Sequence, residues 1–187
     1  MDEKENMLVE LVLSGQTEAF ELLVRPYRSY LTGLSYRLTG DSEESREACQ
    51  ETLLRAFRYL RAFDRRKSFK NWLLGILVNV CRGLIKAKQK GAWLSRALPA
   101  AEPAGPDPAR LHQDKEMLLQ LKDCLDVLSE RERTVFLLRD IEQRSILETA
   151  GIIGCSSISV RVHLSSARKK LKDRLKGIGP GPERGTL

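Results

Sequence analysis

Metal-binding and disulfide signatures are scarce in this chain of 187 residues. It has four cysteines and two histidines, and no C-x-x-C pair. Cys49, Cys81, Cys124 and Cys155 stand far apart in sequence, as do His112 and His163. Structural zinc sites draw on closely spaced ligand pairs, so neither a metal nor another cofactor is expected. The thiols read instead as reduced and mostly buried. No nucleophile–base pair and no phosphate loop is readable, which argues against an enzyme. The longest apolar run, Trp72 to Cys81, is broken by Gly75 and Asn79. It falls short of the ~20 apolar residues a membrane span needs, so no membrane insertion is expected. The opening MDEKENMLVE lacks the basic-then-apolar pattern of a secretory leader, and the expectation is a cytoplasmic protein. Proline is also rare outside one cluster, and strand-like alternation is sustained nowhere.

What is present is charge, and it is unevenly spread. Hydrophobic residues make up 42% and charged residues 30%, the balance of a folded globular chain. The net charge is +7, but residues 65–96 hold nine Lys/Arg and no acid. Residues 161–187 hold eight Lys/Arg against two acids, while residues 1–64 and 97–160 are each net acidic. Two basic blocks on acidic ground suggest a polyanion touching the protein in two places, or else two solvated helix ends.

Helical periodicity runs through most of the chain. Phe20, Leu23, Val24, Tyr27, Leu31, Leu34 and Leu38 recur at steps of three and four, with Pro26 expected to interrupt that helix. Asp41-Ser-Glu-Glu44 reads as a capping box ahead of a stripe of Ala48, Thr52, Leu53, Ala56, Phe57 and Leu60. The basic loop Asp64 to Ser68 leads into a third helix with Trp72, Leu73, Ile76, Leu77, Val80 and Leu84 on one face. From Ala97 to Ala109 the text becomes ALPAAEPAGPDPA, which cannot build a core and reads as a mobile linker. The predicted architecture is therefore all-α: two small helical domains, 1–96 and 112–177, joined by a Pro/Ala-rich linker over 97–111 and followed by a disordered tail over 178–187.

The second module restarts with Leu118, Leu121, Leu125 and Leu128. Ser129 with Glu132 and Ser145 with Glu148 make two further capping boxes. The second box opens a short helix that stops at Gly154, and Ser156 caps the last helix. A short helix, a tight glycine turn and a longer basic helix form a helix-turn-helix. Val160, Leu164, Ala167, Leu171 and Leu175 would anchor the last helix on Ala150 and Ile153. Ser157, Arg161, Ser165, Arg168 and Lys172 lie on the other side, where small residues let a backbone approach. Arg161 could reach a guanine edge or a phosphate, whereas Arg168, Lys169 and Lys172 suit phosphates.

The segment Leu128 to Leu175 resembles the C-terminal domain of bacterial sigma factors, specifically the small extracytoplasmic-function (ECF) group, which binds the minus-thirty-five promoter element. It is also similar to the output domain of LuxR-type regulators, so this module alone leaves two readings open. The first module separates them. Gly15 to Phe20 (GQTEAF), Gly40-Asp41, Gln50-Glu51, Ser68-Phe69, Trp72-Leu73 and Asn79 resemble landmarks of the N-terminal domain of the same sigma factors.

The resemblance implies an alternative sigma factor that binds core RNA polymerase and promoter DNA, often under the control of an anti-sigma factor. Glu47, Gln50, Glu51, Leu54 and Arg55 would face the polymerase clamp helices, although the family usually has Asp-Leu where this chain has Glu47-Ala48. The loop Phe63 to Phe69 and the helix after it would melt the minus-ten element and hold one strand. Strand capture needs a cationic track and flat surfaces for splayed bases. Arg65, Arg66, Lys67, Lys70, Arg82 and Lys86 supply the first, and Phe63, Phe69 and Trp72 are candidates for the second, with Trp72 alternatively a core residue. Asn79 stands where the family contacts a flipped base, or else caps a neighbouring backbone group.

In the recognition helix the row Ile158-Ser159-Val160-Arg161-Val162-His163 departs from the family's Gly-Thr-Val-Lys/Arg-Ser-Arg. Base readout of the minus-thirty-five element would then lean on Arg161, Ser165 and a thymine-methyl contact from Val162, with Ser157, Ser159 and Ser166 as further contacts, His163 on a phosphate or backbone group, and Arg168 and Lys169 on phosphates. Two alternatives stand beside the sigma factor: a LuxR-like DNA-binding regulator, and a sigma mimic that sequesters an anti-sigma factor.

Overall fold

The computed structural model describes residues 3–95 and 124–177. The expectations for the linker at 97–111, for His112, Leu118 and Leu121, and for the tail at 178–187 lie outside the described residues. Every regular element among the described residues is helical.

In the first module α1 (Glu3–Leu13) packs on α2 (Ala19–Val24). Pro26, which has no backbone N–H to donate, sits in a 3-10 turn (Arg25–Tyr27) that separates α2 from α3 (Arg28–Thr39). Gly40 ends α3 in the left-handed region, at φ 75°, where a residue without Cβ is unstrained. Asp41 caps α4 (Ser42–Tyr59) by accepting the amides of Glu43 and Glu44 at 2.8 and 3.0 Å. The predicted reciprocal box is corrected here. Glu44 does not reach back to Asp41 but accepts from Lys88 Nζ at 2.6 Å, tying α4 to α5 (Phe69–Ser95).

Leu23, Leu31, Leu34, Leu73, Leu74 and Leu77 are essentially sealed from solvent. The single stripe predicted for α5 was too narrow, because Leu74 and Val78 are buried as well as Leu73 and Leu77. The helix lies centrally, touching α3 and α4 of its own module and the second module besides.

The second module opens with two completed capping boxes. Ser129 Oγ accepts the Glu132 amide while Glu132 accepts the Ser129 amide, starting α6 (Glu130–Phe136). A π turn (Leu137–Ile141) follows, an irregularity the sequence did not announce. Gln143 then takes φ 54°, the one non-glycine residue with positive φ among the described residues. Ser145 and Glu148 make the second box ahead of α7 (Ile146–Ile153), which Gly154 ends at φ 72°. Ser156 Oγ accepts the Ser159 amide at 3.1 Å at the entry to α8 (Ser157–Gly177). Val160, Leu164, Ala167 and Leu171 are buried, and so are their predicted anchors Ala150 and Ile153. Leu175, placed by its spacing on the same stripe, is 58% exposed, because the covered face ends one turn before it. The two modules meet where α5 packs on α7 and α3 on α6.

Candidate functional site

Three surfaces carry the predicted residues. The first is a shallow groove of about 360 Å³ between α4 and α5, lined by Glu47, Gln50, Glu51, Leu54 and Arg55 together with Val80, Gly83 and Leu84. All five residues expected on one binding face are thus brought together. Leu54 is 61% exposed, an apolar side chain that the module leaves in water. Glu51 and Arg55 pair at 2.6 Å across one helical turn. With both partners substantially exposed, that pair stabilises α4 by only a few tenths of a kcal/mol, so the charges can be redirected to a partner at little cost.

The second surface is the loop before α5 and the start of that helix. Two of its expected base platforms are corrected by burial. Phe69 is fully buried and Phe63 nearly so, within a ring cluster in which Phe63 and Phe69 lie 5.4 Å apart and Phe63 and Trp72 4.9 Å apart. Large aromatic faces are worth more in such a cluster than in water, and the chain spends these two on its core. Trp72 is only partly buried and reaches a groove at the junction of the modules. Asn79 is exposed on the same groove.

The cations of this surface are not equally free. Arg65 pairs with Glu10 at 2.6 Å, and Arg66 grips Asp64, holding that carboxyl below its usual range. Lys70 lies over the Tyr30 ring, 4.2 Å from its centre, and Arg82 pairs with Glu130 of the second module at 2.7 Å. Lys67 and Lys86 are exposed, and neither ammonium makes an ion pair or side-chain hydrogen bond among the described residues.

The third surface is the outer face of α8. Ile158, Arg161 and Val162 are exposed, the two apolar ones by 70% and 61%. Leu147 of α7 adds a further apolar side chain, 76% exposed, that the sequence reading did not single out. Ser165 and Lys169 are exposed as well, while Ser157, Ser159 and His163 are half-buried. Ser166 differs from expectation: its hydroxyl donates to Glu132 Oε1 at 2.6 Å, turned into the module rather than outward. Arg168 makes a two-pronged pair with Asp140 at 2.8 and 2.6 Å, which ties α8 to the π turn.

Two carboxylates in this module are strongly acidic. Burial alone would push Glu132 up, but hydrogen bonds from Lys170, Ser166 and Ser129 outweigh it and bring its pKa to about 2. Glu148 is lowered to about 2 by the Ser145 amide and hydroxyl and by Asn71 across the module boundary.

Cys49 and Cys81 are buried, and burial pushes the Cys81 thiol up to about 12. Cys124 and Cys155 are only partly buried, so the expectation of buried thiols fits two of the four well. No cluster of three or more metal-ligating side chains occurs among the described residues. No described helix is long and apolar enough to cross a membrane.

A helical module with a grooved outer face, joined to a helix-turn-helix module, defines a two-part, all-helical protein. Comparison with known families agrees region by region. The sigma-70 region 2 family matches residues 23–91, and sigma-70 region 4 matches residues 118–171. The chain belongs to the sigma-70 family, in its extracytoplasmic-function group.

It is 30% identical over 178 residues to the ECF RNA polymerase sigma factor SigG of Mycobacterium tuberculosis, with 82% of this chain aligned. It spans 48%, about half, of that relative's length. It is 24% identical over 184 residues to the ECF sigma factor SigW of Bacillus subtilis, covering 91% of this chain and 96% of the relative. Among solved structures, CnrH in complex with the cytosolic domain of CnrY matches with a TM-score of 0.70 at 23% identity, over 94% of this chain and 99% of that one. RpoE in complex with the anti-sigma factor NepR from Bartonella quintana matches with a TM-score of 0.66 at 22% identity, over 84% of this chain and 96% of that one. At these identities the two structures speak for the shared helical fold.

Proposed function

We propose that this chain is an alternative sigma factor: it binds core RNA polymerase and directs initiation at its own set of promoters, with no catalytic chemistry of its own. The module bounds are those read from the sequence, 1–96 and 112–177, with the linker at 97–111 passing through the polymerase. The observation that carries the reading is the pairing of two surfaces on one chain. A helix-turn-helix is accompanied by a separate module whose grooved α4–α5 face gathers Glu47, Gln50, Glu51, Leu54 and Arg55. A LuxR-like regulator needs only the first surface. A sigma mimic has no use for the acid-free run of cations at 65–96.

In this mechanism the α4–α5 groove seats on the clamp helices of polymerase. The α8 face enters the upstream major groove, where Arg161 supplies a directional hydrogen-bonding fork and Val162 an apolar contact for a thymine methyl. Lys169 neutralises phosphate there. The α5 surface, with Lys67, Asn79, Arg82 and Lys86, holds the melted strand. The site of action is cytoplasmic, and an anti-sigma factor is the expected restraint.

The test is a pull-down with purified core polymerase followed by run-off transcription on fragmented genomic DNA. Tight binding and new, discrete transcripts are expected. Glu51→Arg should abolish polymerase binding, and Arg161→Ala should weaken selected promoters by about tenfold, the loss of one good base contact. Failure of the intact protein to bind polymerase would overturn the proposal.

A further inference from the structure

The outer face of α8 is divided along its length. With about 3.6 residues per turn, the buried stripe Val160, Leu164, Ala167 and Leu171 fixes the rotation of the helix, and Ile158, Arg161, Val162, Ser165 and Lys169 fall on the opposite side. The later turns of that side are cationic, with Lys169 and Lys172 exposed. The first two turns carry an apolar pair instead: Ile158 is 70% exposed and Val162 61%. Neither contributes to the core, and both are β-branched, which is mildly unfavourable on an exposed helix face. Both also stand where the family's row has glycine and serine, so the apolar pair is a feature of this chain and not of the family pattern.

Packing removes most polar rivals from this face. Ser159 Oγ lies 2.9 Å from Ser156 Oγ at the helix entry, and Ser166 donates to Glu132 at 2.6 Å. Arg168 is clamped on Asp140 at 2.8 and 2.6 Å. Arg161 is exposed, and its guanidinium makes no ion pair or side-chain hydrogen bond among the described residues. The start of α8 thus presents one guanidinium fork beside two branched apolar side chains.

A partner for such a surface must be anionic and offer apolar points at the same time. The major groove of DNA does both: phosphates line its walls, and thymine shows there a C5-methyl group, the apolar mark among the base edges. Ile158 and Val162 are about 6 Å apart along the helix axis, against about 6.8 Å for two base-pair steps of ~3.4 Å. Branched side chains also have few rotamers to lose when they are held.

We propose that Ile158 and Val162 together make the upstream element thymine-specific: each packs on the C5-methyl of a thymine, and the two thymines lie about two base-pair steps apart, on either strand. Ile158 is then a specificity-determining residue alongside Arg161. The proposal rests on the reading of α8 as the helix that enters the upstream groove, and adds to it the bases that the helix selects.

The test uses the full chain assembled with core polymerase, on a promoter fragment mapped by run-off transcription. Each thymine of the upstream element is replaced in turn by deoxyuridine, which removes the C5-methyl and leaves every hydrogen-bonding atom in place. Competition binding reads the relative affinity. Wild type should lose about fivefold at each of two thymines and about 25-fold at both together, the loss of one and of two buried methyl contacts. Ile158→Ser and Val162→Ser keep a similar helix propensity and remove no charge. Each should bind the thymine duplex about fivefold more weakly, become insensitive to uracil at one of the two positions and keep its sensitivity at the other. General weakening or a change in DNA flexibility would not give that crossed pattern.

A wild-type complex indifferent to uracil throughout the upstream element would overturn the methyl readout and leave α8 as the upstream helix. An element with no thymine on either strand would do the same. Uracil sensitivity that persists unchanged in both serine variants would overturn the roles of Ile158 and Val162. Serine variants that weaken assembly with polymerase but not DNA selectivity would make the apolar pair a protein contact instead. Mapped promoters that depend on no upstream sequence would sink the reading of α8 itself, and the proposal with it.

Discussion

The single carboxylate of Glu132 joins the entry of the helix-turn-helix module to its recognition helix. Its Oε2 accepts the Ser129 amide at 2.8 Å and Lys170 Nζ at 2.7 Å, and its Oε1 accepts the Ser166 hydroxyl at 2.6 Å. The side chain is 8% exposed. Its pKa falls from 4.5 to about 2, because these bonds outweigh the burial that opposes ionisation. At about 1.4 kcal/mol per pKa unit, a shift of that size corresponds to about 3 kcal/mol, discounted to about 2 because the Lys170 end is half in water.

The sign follows from linkage: a depressed pKa gives stability that is present above about pH 4.5 and lost as pH falls towards about 2. Glu132→Gln keeps one acceptor but no charge, so it should cost about 2 kcal/mol near neutral pH, or about 10 °C in the melting temperature of so small a module. The assay is circular-dichroism melting of the intact chain, wild type against variant, from about pH 7 down to about pH 2.5. The gap should close as the wild-type carboxylate takes up its proton. A gap within about 0.5 kcal/mol near neutrality, or one that persists at the acid end, would refute the assignment.

Two further predictions concern the turn and the cationic track. Gly154 sits at φ 72° with nothing within 4 Å of an added Cβ, so the cost of a side chain there is purely conformational. Gly154→Ala should destabilise by about 1 kcal/mol and Gly154→Asn by less, and equal losses in chemical denaturation would contradict the backbone argument. Lys86 is exposed, and its ammonium makes no ion pair or side-chain hydrogen bond among the described residues. Lys86→Ala should therefore reduce the slope of log affinity against log salt for single-stranded DNA by about 0.7, and an unchanged slope would remove Lys86 from the track.

Local rules settled most of the skeleton. Pro26 split α2 from α3 because it has no amide to give, and Gly40 and Gly154 ended helices because only they take positive φ freely. The Ser129 and Ser145 boxes closed as their spacing predicts. The gathering of Glu47, Gln50, Glu51, Leu54 and Arg55 was legible too, since positions three and four apart on one helix share a face. What required tertiary structure was the destination of side chains whose type fits two roles. An aromatic ring serves equally as base platform or as core, and Phe63 and Phe69 went inward because their neighbours Tyr27 and Trp72 were there to pack on. Glu44 left its cap for Lys88, and Ser166 turned from the DNA side to Glu132, each for a partner distant in sequence.

The sequence alone therefore determined an all-helical chain in two modules with a basic α5 and a basic α8, because helix period, caps and charge runs are local. The acidity of the second module was also visible, but not its target. Only the fold decided that Glu130, Glu142 and Glu148 face Arg82, Arg37 and Asn71, because complementarity between modules depends on which surfaces meet.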